Sequence, residues 1–310
     1  MTSLQSISSP LIATFPLQDY DLDATLTSGQ AFRWRRQDQG WTGVVGRRWV
    51  HLRAAVGVLT AEVAEPVPDW QWLRHYLQVD LDLPRVLRTF PDDEPMRRAV
   101  TACRGLRLLR QQPWECLASF ILSSTKQIVQ IQQIITLLCD RYGEPVAVPA
   151  GQPPARAFPS AARLGAAREA ELRSCKMGFR ARYLLETARR VAAGECDLAS
   201  LGNLPVEGAR SELLRLPGVG RKIADCVLLF AYGFQPAFPV DVWVMKALQQ
   251  LYFPGRRVKL PRLHRFAAEH FAPNAGYAQQ YLFHYMRTRP RPGRAALPKP
   301  PPQPGETADL

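Results

Sequence analysis

Near Pro68-Asp69-Trp70 the hydrophobic pattern changes its period, and with it the architecture open to the chain. Upstream, from Gln30 to about Val63, apolar and polar residues alternate in short runs broken by glycines: Ala31–Arg35, Trp41–Val45, Arg48–Leu52 and Gly57–Val63. A period of two marks strands with one buried face, so this region is predicted to be an antiparallel meander, with Phe32 and Trp34 on the packed face and Arg33 and Arg35 on the wet one. Downstream the apolar residues recur at helical spacing as far as about Arg287, with predicted helices over Trp70–Val79, Glu94–Arg104, Pro113–Gly143 (more than one), Pro159–Leu164, Arg168–Ser174, Arg180–Ala193, Pro205–Leu214, Arg221–Tyr232, Val242–Leu251, Leu260–His270 and Gly276–Met286. A sheet followed by an all-helical region defines an α+β chain. The expected organisation is a sheet domain over 1–90, a helical domain over 91–286 with one helix ahead of it, and a Pro/Arg-rich tail over 287–310 that cannot pack and is expected to be disordered.

The 310 residues suffice for about two domains, and 46% hydrophobic residues exclude wholesale disorder. Forty Lys and Arg against 27 Asp and Glu leave a net charge of +13, which favours a polyanionic partner. No apolar run approaches the roughly 18 residues of a membrane span, and Met1 to Asp21 lacks the layout of a secretory signal. A soluble intracellular protein is expected, in cytoplasm or nucleoid if bacterial and in the nucleus if eukaryotic. Six cysteines, at 103, 116, 139, 175, 196 and 226, never form a CxxC pair, so buried free thiols are expected and no metal site or other cofactor.

The chemistry is expected at Leu216-Pro217-Gly218-Val219-Gly220-Arg221-Lys222, between two helical patterns. Two glycines allow a tight turn whose amides approach another group, and the next helix begins with unpaired N–H donors suited to a phosphate. A plain helix connection is the competing reading, and the Walker-type phosphate loop is excluded by spacing. Taken by position alone, Lys222 reads as a solvated lysine beside Asp225, away from the apolar stripe of Ile223, Val227, Phe230 and Ala231. Asp241, 19 residues on in Pro239-Val240-Asp241-Val242-Trp243, sits at an N-cap position. A short loop lets the two helices fold back so that lysine and aspartate can face one cleft. There an amine could displace a base at a sugar carbon while the carboxylate stabilises developing positive charge.

Leu216–Lys222 with Pro239–Asp241 resembles the helix-hairpin-helix and aspartate signature of the base-excision DNA glycosylases, and a lysine at position 222 is the mark of their bifunctional glycosylase/lyase members. Three further segments are similar to the eukaryotic-type 8-oxoguanine DNA glycosylases: Ser28–Arg35, Glu115–Ser124 and Met177–Tyr183. The similarity runs from about residue 15 to 286. It implies a TBP-like N-terminal sheet domain packed on a helical HhH-GPD domain, acting as a monomer on double-stranded DNA containing a damaged purine, with no membrane association.

The same resemblance implies Lys222 as nucleophile and Asp241 as the group that stabilises the sugar cation. The extruded base would meet the Gly29 backbone, lie between Cys226 and Phe283, and have its edge read by Gln279. Gln279 and Phe283 share a helix face by spacing alone. Phe179 and Arg180 correspond to residues that wedge into the strand gap, and Gly218, Val219 and Gly220 to the phosphate-holding turn. Thr125 stands where the family has an asparagine that pairs with the orphan cytosine, Gln130 where a second cytosine-reading arginine is expected, and Trp243 where a phosphate-contacting histidine is expected. Strict preference for cytosine is therefore not implied. Two other functions stay open: a monofunctional alkylpurine glycosylase, which would release bases without nicking, and a non-catalytic DNA-binding protein.

Overall fold

The computed structural model describes residues 11–289. An antiparallel sheet of order β1-β5-β4-β3-β2 forms from β1 (Ile12–Pro16), β2 (Arg35–Gln37), β3 (Gly40–Val45), β4 (Arg48–Ala55) and β5 (Val58–Val63). The alternating pattern sets its register: Leu52 pairs with Ala61, Val50 with Val63, and Phe15 with Leu59. These side chains are buried with Leu22 and Leu26 of α1 (Leu22–Thr27) and Leu73 and Leu77 of α2 (Gln71–Leu77). Full burial of each large aliphatic side chain contributes roughly 1.5–3 kcal/mol.

The run Ala31–Arg35 departs from expectation. Only Arg35 enters a strand, and β1 pairs ahead of the expected meander. Phe32 lies in the helical core, 5.7 Å from Phe120, whereas Trp34 lies in the sheet core with its indole N–H on the Tyr76 hydroxyl at 2.9 Å. Arg33, expected in water, is mostly buried, donates to the Arg156 carbonyl and stands 3.4 Å from the Glu115 carboxylate. The segment passes between two cores, so Phe32 and Trp34, which share a face by alternation, enter different interiors and Arg33 is enclosed, while Arg35 stays exposed as expected.

The helical region comprises α3 (Leu83–Leu87), α4 (Glu94–Ala102), α5 (Pro113–Leu122), α6 (Ile128–Tyr142), α7 (Ala161–Gly165), α8 (Glu169–Leu172), α9 (Arg180–Ala192), α10 (Val206–Leu214), α11 (Arg221–Val227), α12 (Val242–Leu251), α13 (Leu260–His270) and α14 (Ala275–Thr288). The break between α5 and α6 falls at Ser123–Gln127, where Thr125 adopts φ +56°, a left-handed conformation that a helix cannot continue through. A π turn over Leu228–Tyr232 extends α11, whereas Arg173–Met177, ahead of α9, is kinked at Cys175 and Lys176, the latter with φ +62°. The α14 helix reaches Thr288, two residues short of Pro290, so the expected tail begins as helix: the Arg287 guanidinium lies 5.2 Å over the Phe283 ring. Residues 290–310 lie outside the described residues. Among the described residues no helix is long and apolar enough to cross a membrane, and no group of three or more His, Cys, Asp or Glu could hold a metal ion.

Asp225 does not pair with Lys222. Its carboxylate is 1% exposed and 2.7 Å from Arg210 Nε of α10, with Arg221 at 3.7 Å. Burial pushes the Asp225 carboxyl above its usual range against the pull of Arg210. The pair locks α10 to α11 on either side of the glycine turn. Asp225→Ala leaves Arg210 only the largely exposed Glu207 carboxylate as a partner and is expected to cost about 1.5–3 kcal/mol in denaturant unfolding, the scale of a hydrogen bond to a charged group; a loss under about 1 kcal/mol, the scale of an exposed pair, would contradict the locking role.

Candidate active site

The glycine turn between α10 and α11 is held from below. Thr187 Oγ1 of α9 donates to the Pro217 carbonyl at 2.9 Å, and Tyr183 packs under Gly218. Gly218 has φ +77°, and a Cβ there would fall 2.7 Å from Tyr183 Cβ, so both backbone and packing require glycine. The Val219 amide, expected to be free for a phosphate, is spent on the Leu216 carbonyl at 3.2 Å. Gly220 caps α11, with nothing within 4 Å of where a Cβ would stand.

From Ile223 through Ala231 every residue is buried, so the helix has no solvated stripe; Lys222, partly exposed, faces a cleft. Lys222 Nζ donates to Ser123 Oγ at 3.0 Å and lies 5.3 Å from the Phe120 ring centre. Asp241 caps α12, its Oδ1 accepting the Trp243 amide at 2.9 Å and the Val244 amide at 2.8 Å. Burial holds its carboxyl above the ordinary aspartate range, against the opposing pull of those amides and of the Lys222 and Arg287 cations. The carboxylate is therefore anchored and partly desolvated, and its field falls on the lysine's cleft.

Lys222 and Asp241 line one cavity together with Gly29, Cys226, Gln279, Phe283, Phe120, Phe230, Pro239 and Gln280. The six residues expected to meet nucleophile, cation and base thus converge from four separate segments. The cavity holds about 50 Å³, room for a water or two but not for a purine, so its walls must part to admit one. Burial raises the Cys226 thiol to about 12, which makes it a neutral wall and no competing nucleophile. Gln279 is 3% exposed and its Oε1 is buried without a hydrogen-bond partner, an acceptor left open at the cavity.

Two glutamines that the sequence reading passed over hold the Gly29 loop. Gln30, fully buried, donates to the Thr25 and Arg107 carbonyls at 2.9 and 2.8 Å and accepts the Leu109 amide at 2.7 Å. Gln280 Nε2 donates to the Ser28 carbonyl at 2.9 Å. Gly29 itself has φ +77°, and a Cβ would fall 2.9 Å from Ile128 and 3.3 Å from Phe283. Nothing local marks Gln30 and Gln280, whose partners lie up to 252 residues away.

The expected DNA-contacting residues divide. Phe179 is 55% exposed at the start of α9, in edge contact with Tyr183, and Thr125 is exposed. Arg180 is 3% exposed and points inward, donating to the Ser124 carbonyl, Thr125 Oγ1 and the Met177 carbonyl. Burial lowers its guanidinium from the usual range. Gln130 is occupied too: its Oε1 accepts the Gln127 amide at 3.1 Å and caps α6. Trp243 lies half-buried beside Asp241, under the Lys246 ammonium at 5.4 Å.

Sheet, helical body and glycine hairpin are those of a base excision repair glycosylase. Residues 12–117 match the 8-oxoguanine DNA glycosylase N-terminal domain, and residues 118–273 match the HhH-GPD superfamily of base excision DNA repair proteins. The chain is 31% identical over 301 residues to the probable N-glycosylase/DNA lyase of Methanothermobacter thermautotrophicus, covering 88% of this chain and 95% of that one. It is 30% identical over 294 residues to the N-glycosylase/DNA lyase OGG1 of Arabidopsis thaliana, covering 87% and 79%. A Clostridium acetobutylicum 8-oxoguanine glycosylase/lyase, solved in complex with double-stranded DNA containing cytosine opposite 8-oxoguanine, superposes with a TM-score of 0.83 at 29% identity over 91% of this chain and 99% of that one. The chain belongs to the HhH-GPD superfamily and, within it, to the N-glycosylase/DNA lyases with an 8-oxoguanine DNA glycosylase N-terminal domain.

Proposed function

We propose that the protein excises 8-oxoguanine, and with it formamidopyrimidine-guanine, from duplex DNA and cleaves the strand at the resulting abasic site. The observation that carries this reading is the convergence of Lys222, Asp241, Gly29, Cys226, Gln279 and Phe283 on one cavity. The damaged nucleotide swings out of the stack, because its glycosidic carbon is inaccessible within it. The cavity walls part, Cys226 and Phe283 close on the two faces of the base, and Gln279 reads its edge with the open Oε1 acceptor. The Gly29 carbonyl takes the N–H that oxidation adds to the purine.

The Lys222 ammonium gives up a proton, and the Nζ lone pair so freed bonds to C1′ while the C1′–N9 bond breaks; the purine leaves with the electron pair of that bond and takes up the released proton. Asp241 stabilises the positive charge on the sugar in transit. Nζ gives up a proton, O4′ takes one as the ring opens, and an iminium joins lysine to sugar. Loss of a C2′ proton expels the 3′ phosphate by β-elimination, and water then releases the lysine. Phe179 fills the strand gap, while Gly218, Gly220 and the first turn of α11, with Trp243 nearby, hold the backbone. The amide of Val219 acts through the turn's shape, and Arg180 by holding Ser124 and Thr125 in place.

Thr125 Oγ1 already accepts from Arg180 and Gln130 Oε1 from the Gln127 amide, which leaves the opposite base a hydroxyl proton and an amide NH2 but no arginine-like bidentate donor pair. A good bidentate base contact is worth about 1–3 kcal/mol of discrimination. Without one, single-turnover excision of 8-oxoguanine opposite each of the four bases is expected to agree within about tenfold. The same assay with an alkylated purine tests the function itself. Release and nicking at 8-oxoguanine with no action on the alkylated base is expected; release of the alkylated base without nicking would overturn the proposal in favour of a water-using glycosylase.

A further inference from the structure

The contact between Lys222 and Ser123 has a fixed sense. Ser123 closes α5, and its Oγ donates to the Phe120 carbonyl at 2.7 Å. With that proton committed, the hydroxyl presents only lone pairs to Lys222 Nζ, 3.0 Å away, so the lysine donates. Phe120 supplies both the carbonyl that orients the hydroxyl and the ring face near Nζ. Neither neighbouring carboxylate replaces this hold. Asp225 is taken by Arg210 and Arg221, and Asp241 Oδ1 by two amides. A flexible four-carbon side chain otherwise loses its place readily, and placement of a nucleophile to within an ångström is worth about two orders of magnitude in rate.

We propose that Ser123 is a positioning residue for the nucleophile: its hydroxyl holds Lys222 Nζ on the Phe120 wall of the cavity until the amine moves to the sugar carbon. The assignment rests on the reading of Lys222 as the attacking amine. It assigns Ser123 no contact with base, sugar or phosphate and no part in proton transfer. Its whole effect passes through the amine, which separates it from residues that bind DNA.

The test uses a duplex carrying a preformed abasic site, so that base recognition plays no part, and borohydride to trap the iminium in single turnover. Ser123→Ala is expected to slow trapping about 10- to 100-fold at saturating DNA, with the half-saturating DNA concentration unchanged. Ser123→Thr, which keeps the acceptor oxygen, is expected to restore the rate to within about threefold of wild type. Should Ser123→Ala fold poorly, Ser123→Val against the isosteric Ser123→Thr isolates the hydroxyl, slow with valine and fast with threonine. Trapping by Ser123→Ala at the wild-type rate, or equal rates for valine and threonine, would overturn the assignment while leaving Lys222 as nucleophile. Failure of the wild type to trap at all would instead sink the reading on which it rests.

Discussion

Lys222→Ala is expected to lose strand cleavage and the borohydride-trapped adduct altogether, and to release 8-oxoguanine about 10⁴-fold more slowly or worse, since a nucleophile removed from a cooperating set takes most of the catalysis with it. The affected atom is isolated. Lys222 Nζ has one hydrogen-bond acceptor among the described residues, Ser123 Oγ, and no carboxylate within ion-pair distance, and when it is lost the buried Asp241 carboxyl keeps the Trp243 and Val244 amides and the Arg287 cation. Folding and duplex binding should therefore persist, because the turn proposed to hold the backbone is built by Gly218, Gly220, Tyr183 and Thr187. Lys222→Gln, which keeps a donor for Ser123, is expected to be as inactive as alanine. Single-turnover release and nicking on a gel, run beside a binding titration, provide the check. Residual nicking by Lys222→Ala within tenfold of wild type would mean that another amine does the chemistry.

Asp241→Asn is expected to lower base release about 100- to 1000-fold, the usual effect of removing one preorganised electrostatic group from a transition state. Asparagine caps a helix as well as aspartate, so α12 stays in place and the change falls on the charge. The carboxylate must be ionised to stabilise a cation, and burial raises its pKa above the ordinary value of 3.8. Activity is therefore present above the raised value and is lost as pH falls through it, and the acid limb of the wild-type profile should stand above pH 3.8. Stability has the opposite sign. A raised carboxyl binds its proton more tightly in the folded state, so the ionised group costs stability above the raised pKa, and that cost fades as pH falls towards 3.8. The asparagine variant should accordingly melt no lower than wild type at neutral pH. An Asn variant with full activity, or an acid limb below 3.8, would contradict the role.

Much of this site is legible in the sequence because chemistry of this kind leaves short signatures. Leu216–Lys222 announces a turn with glycine where φ is positive, Asp241 announces a helix start, and Gln279 with Phe283 share a face by spacing. The change of period near Trp70 likewise separates sheet from helices. What stayed hidden depends on distant partners. Arg180 looks like a solvated charge at a helix start, and only the return of Ser124 and Thr125 beside it makes it an internal clamp. Ser123, Gln30 and Gln280 carry no local mark of the groups they hold. Phe32 and Trp34 share a parity yet enter different cores, with Arg33 enclosed between Glu115 and Arg156, and a strand template that puts both aromatic rings on one face cannot show this. The α1 helix, six residues long, is too short for periodicity to register, although Asp21 caps it through the Ala24 amide at 2.8 Å.

Which nitrogen joins the sugar decides whether Lys222 is the nucleophile. Reduced adduct from wild-type protein and an 8-oxoguanine duplex, digested and sequenced by tandem mass spectrometry, should carry the added deoxyribose fragment on Lys222 alone. A modification on Lys126, Lys176, Lys246 or an N-terminal amine, with Lys222 untouched, would contradict that role outright.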